Sequence, residues 1–168
     1  MDTFSLLIVD DNQKWCAGLE KQLAEYPFIH QIPSAHSGDT AIMKIEQDKP
    51  NVIILDLILP IYDGLYIISY LRDYLPDYHP IIYVISAIAT SVTKQMLHDL
   101  GVSYYSVKPI EQSAIVRNIL QLTSNNPSNQ EAVEKSLNLD MLISDYLYKM
   151  GANMSLISSD CTRLAIRL

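Results

Sequence analysis

The sequence predicts an α/β protein built on a doubly wound parallel sheet. Strand and helix patterns alternate from Leu6 to about Thr123, the chain order of a sheet covered by helices on both faces. The strand patterns are unbroken apolar runs such as Val52-Ile53-Ile54-Leu55, as expected where a strand is buried on both sides. Four of these runs end on residues that carry chemistry. Leu6–Val9 ends on Asp10 and Asp11, Val52–Leu55 on Asp56, Ile81–Ile85 on Ser86, and Tyr104–Val107 on Lys108. Parallel sheets place their ligands at the carboxyl edge. Side by side, these strands bring three carboxylates, a hydroxyl and an ammonium to one rim. That is a cation site beside a nucleophilic carboxylate, with Lys and Ser available to hold a phosphoryl group.

The elements follow in order. After the first strand, Asn12 is placed to cap a helix that turns Cys16, Leu19 and Leu23 inward and stops before Pro27. Phe28 to Ile32 reads as a strand, and Pro33 directly after it marks an edge position, because proline cannot donate to a ladder. Ser37-Gly38-Asp39 opens a helix with Ile42 and Ile45 on one face, ended near Pro50. The Asp56 strand and the loop from Pro60 to Gly64 lead to a third helix marked by Leu65, Ile68 and Leu71. Pro76 and Pro80 bracket the next turn. A fourth helix starts at Thr90 or Ser91, and Gly101 suits the C′ position that ends it. Ile115, Ile119 and Leu122 line a fifth helix.

Composition changes at Ser124. The stretch from Ser124 to Gln130 is polar and helix-averse, so residues 124–138 read as a linker after a domain at 1–123. Residues 139–168 form a helical segment, with Leu139, Leu142, Ile143, Tyr146, Leu147 and Met150 at helical spacing and Gly151 as a stop. The chain ends within an apolar periodicity, which predicts a truncated second domain. We find no internal repeat.

Bulk properties narrow the function. Apolar residues make up 49% and charged residues 18%, which excludes global disorder. The formal net charge of −7 argues against a general nucleic-acid surface. Cys16 and Cys161 read as reduced thiols. No signal-peptide pattern opens the chain, and the apolar run around Val52 to Pro60 is interrupted by Asp56 and too short to span a bilayer. The expectation is a cytoplasmic protein with no membrane contact.

Six short elements now stand in order: Val9-Asp10-Asp11-Asn12, Leu55-Asp56 with Leu59-Pro60 and Asp63-Gly64 behind it, Ser86-Ala87, and Lys108-Pro109. In this arrangement the chain from about Phe4 to Thr123 resembles a bacterial response-regulator receiver domain. The resemblance implies a flavodoxin-like fold of five parallel strands in the order 2-1-3-4-5, which agrees with the edge position of Phe28–Ile32. It implies that Asp56 is the phosphoacceptor, a nucleophile that becomes an aspartyl phosphate. Phosphoryl transfer needs charge neutralisation more than covalent help. Asp10, Asp11, Asp56 and the main-chain carbonyl of Ile58 would hold Mg²⁺ (or Mn²⁺), a hard ion that prefers oxygen and keeps several waters. Lys108 would pair with one phosphoryl oxygen and Ser86 would donate to another. The Lys108–Pro109 peptide is cis in the resembled family. The implied partner is a histidine kinase or histidine phosphotransferase. No enzyme activity on external substrates is expected, only the chain's own phosphoryl uptake and slow loss.

Asp63 before Gly64 is better explained by turn chemistry than by catalysis. Asp10 and Asp11 side by side after a buried strand are harder to dismiss, since crowded like charges repel unless a cation lies between them. Dehalogenase-type phosphatases also use an aspartate after a strand, but they need a second aspartate two residues later, where this chain has Ile58. Flavodoxins bind phosphate in a Ser/Thr-rich first loop, where this chain has Asp10-Asp11. A receiver-fold interaction or dimerisation module that no longer uses phosphate is the remaining alternative. The intact acidic pair, Ser86 and Lys108 speak against it.

In the resembled family the serine moves toward the phosphoryl group and an aromatic residue on the last strand turns inward, a position held here by Tyr105. The output face is then the fourth helix, fifth strand and fifth helix, through which a homodimer is expected if not through the C-terminal helices. Ile58 and Ile88 flank the phosphoryl position, and their apolar bulk predicts slow hydrolysis. Tyr62, Tyr66, Tyr70, Tyr74 and Tyr78 recur every four residues, more in the manner of amphipathic packing than of a recognition surface. His30, His36, His79 and His98 show no metal-ligand spacing. The segment from Leu139 to Leu168 is loosely similar to the start of the effector domain of the stage-zero sporulation regulators of spore-forming Firmicutes, and the receiver motifs fit that group too. Acidic residues outnumber basic ones from Glu131 onward, so no direct DNA binding by this chain alone is expected.

Overall fold

The protein is described by a computed structural model over residues 3–88 and 90–123. The predicted linker at 124–138, the segment at 139–168 and Cys161 lie outside the described residues. The elements alternate: β1 Phe4–Val9, α1 Gln13–Leu23, β2 Ile29–Ala35, α2 Gly38–Asp48, β3 Val52–Leu55, α3 Gly64–Tyr74, β4 Ile81–Ser86, α4 Ser91–Asp99, β5 Tyr104–Val107 and α5 Gln112–Thr123. All strand pairs are parallel, and the sheet order is β2-β1-β3-β4-β5. This is the doubly wound, flavodoxin-like sheet the sequence predicts.

The pleat divides each apolar run between two cores. Leu7, Val9, Ile53, Leu55, Ile82 and Val84 face α2, α3 and α4, where they meet Ala41, Ile45, Ile67, Ile68, Leu71 and Leu97. Leu6, Ile8, Val52, Ile54, Tyr83 and Ile85 face α1 and α5, where they meet Cys16, Leu19, Leu23, Ile115, Val116 and Ile119. Consecutive residues of one strand thus serve opposite sides, and no polar residue is tolerated until the run ends. Tyr83 is the one phenol sunk in this sheet. Its hydroxyl is satisfied by the Ser106 hydroxyl at 2.8 Å and by the Asn118 amide at 3.0 Å, as burial of a polar tip demands.

The helix signals hold locally. The Asn12 side chain accepts from the Trp15 N–H at 3.1 Å, Asp63 from the Tyr66 N–H at 2.7 Å, and Thr90 from the Thr93 N–H at 3.1 Å. Gly101 follows α4 at φ 67°, the left-handed conformation expected of a C′ residue. Two features differ from expectation. Ile42 and Leu122 are only half-buried, the inward positions being taken by Ala41 and Ile45 on α2 and by Ile115, Val116 and Ile119 on α5. β2 does not stop at Ile32 but runs through Pro33 to Ala35. Leu7 pairs with Ile32 and Val9 with Ala35, so three steps on β2 oppose two on β1. That bulge admits the proline on an edge strand, where a missing N–H costs no ladder bond.

Candidate functional site

The site stands one residue beyond three strand ends. β1 closes at Val9, β3 at Leu55 and β5 at Val107, so Asp10, Asp56 and Lys108 lie on the carboxyl rim. The ladder continues one rung past each strand. The N–H of Asp10 donates to the Ala35 carbonyl at 3.1 Å, that of Asp56 to Val9 at 2.9 Å, and that of Lys108 to Ser86 at 3.0 Å. Each functional side chain is therefore carried on backbone that the sheet itself holds.

Asp10 is 1% exposed and Asp56 6%, whereas Asp11 is exposed. Oxygens of the three carboxylates lie within 4.8 Å of one another. Like charges that close repel, most of all when two are buried. The Lys108 ammonium offsets this by donating to Asp10 Oδ2 and Asp56 Oδ2, each at 2.6 Å. Burial draws the Lys108 pKa down, but hydrogen bonds and charge from both aspartates outweigh it, and the net shift is upward. The ammonium stays charged in its half-buried position. The outer oxygens are held by main chain: Asp10 Oδ1 accepts from Asn12 N–H at 2.9 Å and Asp56 Oδ1 from Ile58 N–H at 3.1 Å. Three carboxylates in one pocket are a hard-oxygen donor set that fits a divalent cation such as Mg²⁺.

The loop after Asp56 is shaped by a close approach. Gly64 N–H donates to the Leu57 carbonyl at 3.0 Å. A β-carbon on Gly64 would lie 2.5 Å from the Asp56 carbonyl oxygen. The Asp-Gly pair is thus structural twice over, Asp63 as the cap of α3 and Gly64 as the contact that keeps the Ile58 turn against the rim. Ile58 is 55% exposed and Ile88 37%, each two residues beyond a buried site residue, Asp56 and Ser86.

Ser86 is fully buried at the end of β4. Its Oγ accepts from the Ile88 N–H at 3.4 Å, and the Ile88 carbonyl accepts from the Tyr105 hydroxyl. A short chain of contacts therefore links the site to the outer edge of β5. Tyr105 is half-buried, and burial followed by the charge of Asp56 pushes its phenol up to about 12. The Lys108–Pro109 peptide is cis, as the resemblance implies.

Three neighbours add contacts to the site beyond its acids, Ser86 and Lys108. Asn12 holds Asp10 through its main chain. The Trp15 ring centroid lies 5.2 Å from the Lys108 ammonium. His36 Nδ1 sits 2.9 Å from the Asp10 carbonyl oxygen, beside the buried Cys16 thiol. His36 was obscured because β2 was expected to stop at Ile32. The bulge carries the strand to Ala35 and puts His36 on the same rim as the acids. Among the described residues no helix is long and apolar enough to cross a membrane.

The family model of the response regulator receiver domain matches residues 6–120. Solved structures of similar fold include the receiver domain of Francisella response regulator 1452, at 22% identity and TM-score 0.64, covering 71% of this chain and 96% of that one. The signal receiver domain of the response regulator described as NarL from Mycobacterium tuberculosis is similar at 20% identity and TM-score 0.66, covering 75% and 100%. The isolated receiver domain of RcsB from Salmonella enterica serovar Typhimurium, solved with the phosphomimetic BeF3−, is similar at 17% identity and TM-score 0.66, covering 79% and 99%.

Proposed function

The chain belongs to the response regulator receiver family of bacterial two-component systems, and from that premise we propose that Asp56 is its phosphoacceptor in a Mg²⁺-dependent transfer from a phosphohistidine donor. Receivers accept phosphoryl groups and interact with histidine kinases or phosphotransferases, and they generally use Mg²⁺. The observation that carries the assignment is the pairing of Lys108 with buried Asp56 at 2.6 Å, with Asp10 and Asp11 beside them.

The residues divide the work. An Asp56 carboxylate oxygen attacks phosphorus, the new P–O bond forms as the P–N bond to the donor imidazole breaks, and that imidazole leaves with the electron pair and takes up a proton. Bound by Asp10, Asp11, Asp56 and the Ile58 carbonyl, the ion would neutralise charge on the transferring group. Lys108 gives up its carboxylate partners and holds a phosphoryl oxygen. Ser86 donates to another, and its movement draws on Ile88 and Tyr105, passing the event to the α4–β5–α5 surface. The chain acts on no external substrate. Incubation with a small acyl phosphate and Mg²⁺ adds the mass of one phosphoryl group. Asp56→Ala abolishes the adduct, and an adduct that persists in this variant sinks the assignment.

The lifetime of that adduct is a separate expectation. Ile58 and Ile88 flank the phosphoryl position with apolar surface and give the attacking water no hydrogen-bonding side chain. The phosphorylated protein is expected to outlast seconds without a phosphatase, and Ile58→Asn to shorten its life. The finer reading of output rests on the sequence from Leu139 to Leu168: we propose that this receiver serves sporulation-type transcription control. Unaffected spore formation in the producing cell after Asp56→Ala would count against that reading.

A further inference from the structure

We propose that Trp15 is a positioning residue for Lys108, holding the ammonium beside the phosphoryl site when its carboxylate partners turn to the metal. The inference rests on the assignment of Asp56 as phosphoacceptor and adds a residue to it.

Four contacts form a closed circuit. Lys108 Nζ donates to Asp10 Oδ2 at 2.6 Å. Asp10 Oδ1 accepts from Asn12 N–H at 2.9 Å. The Asn12 side chain accepts from Trp15 N–H at 3.1 Å. The Trp15 ring returns to the Lys108 ammonium at 5.2 Å from its centroid, within the range of a cation–π contact. The indole backbone is tied to the lysine's own segment as well. Gln112, the first residue of α5, donates its side-chain N–H to the Trp15 carbonyl at 2.8 Å and accepts from Gln22 at 3.2 Å. Gly18 makes room for that glutamine, since a β-carbon there would stand 2.9 Å from Gln112 Oε1. The Trp15 side chain is half-buried and packs against the core on the α1 and α5 side of the sheet.

The consequence follows from competition. A divalent ion among Asp10, Asp11 and Asp56 takes the oxygens that Lys108 now uses. A lysine without another partner would extend into water, and the transfer step would have to recover it. The ring face attracts a cation but offers nothing to a phosphoryl oxygen. It therefore retains the ammonium without competing for the group that Lys108 must bind.

The test has two arms on the full chain. In NMR, the terminal methylene protons of Lys108 are expected to show an upfield ring-current shift that survives saturation with Mg²⁺ and is lost in Trp15→Leu. A shift that vanishes on adding Mg²⁺ overturns the proposal. In the second arm, phosphorylation by acetyl phosphate at saturating Mg²⁺ slows by roughly 2- to 30-fold in Trp15→Leu, the span of an exposed to desolvated cation–π contact. Trp15→Phe restores most of the rate. In a Lys108→Met background the leucine substitution has no further effect. Equal slowing in both backgrounds, or none in either, overturns the proposal. If the wild type takes no phosphoryl group on Asp56, the underlying assignment falls, while the NMR arm still judges Trp15.

Discussion

At the scale of single residues, buried groups are ordered by what neutralises them. Lys108 answers two aspartates, and Cys16 answers none. Its thiol packs 3.4 Å from the Asp10 carbonyl oxygen, and burial, reinforced by the Asp10 charge, pushes it from 9.0 up to about 11. Below pH 9.0 the thiol keeps its proton in the folded and the unfolded chain, so its contribution to stability is fully present. Between 9.0 and about 11 the unfolded chain sheds the proton and the folded one does not. Stability then falls as pH rises, because the native state binds more protons. Urea denaturation across that window should show a steeper alkaline loss in the native sequence than in Cys16→Ala. Equal slopes would refute it. The thiol, buried and protonated, should also resist alkylation near neutral pH in a Cys161→Ser background.

At the scale of elements, the site depends on how closely α3 approaches the end of β3. Gly64 has no positive φ to explain it; the reason is space, with the Asp56 carbonyl oxygen 2.5 Å from where a β-carbon would sit. Gly64→Ala must push the Ile58 turn off the rim. We expect a loss of about 1–3 kcal/mol from overpacking, together with weaker Mg²⁺ binding by titration calorimetry. A variant that melts lower yet binds the ion unchanged would mean the turn is not a ligand. The sequence made most of this scale legible, because apolar runs and caps mark the elements locally: Val52–Leu55 reads as a strand, and Asn12 and Thr90 cap helices as their chemistry suggests. What stayed hidden depends on contacts between distant residues. Pro33 looked like an end because its partner strand was not in view. The tyrosines at four-residue spacing read as amphipathic packing, whereas in the fold Tyr62, Tyr66 and Tyr74 are exposed, with Tyr62 stacked on Tyr66 at 4.5 Å and Tyr70 on Tyr74 at 4.8 Å. Tyr78 leaves that row and donates to the Pro50 carbonyl. Of the site, the acids, Ser86 and Lys108 were readable as strand-end residues, while the approach of Trp15 and His36 to them was not.

At the scale of the whole molecule, the acidic rim sets an electrostatic load on the fold. Of the three carboxylates within 4.8 Å of one another, Asp10 and Asp56 pair with the Lys108 ammonium, in a chain already at net charge −7. An ion that binds the folded rim, and not the scattered acids of the unfolded chain, stabilises the whole molecule by mass action. At about 100 times the dissociation constant that gain is ~2.7 kcal/mol, or roughly 10 °C in Tm for a domain of this size. Thermal melts in chelator and in Mg²⁺ should therefore separate by about that amount. Asp11 gives the sharpest control because it is exposed, so Asp11→Asn removes a ligand without disturbing the core. Relieved of one repelling charge, the variant should melt no lower than the native chain in chelator and lose most of the rise in Mg²⁺. Asp56→Asn differs in kind: it also takes a charge from Lys108 at 2.6 Å, so its melting in chelator should change too. If Mg²⁺ raises Tm equally in the native chain and in Asp11→Asn, the ion binds elsewhere, and the rim is an ion-paired cluster that needs only its lysine.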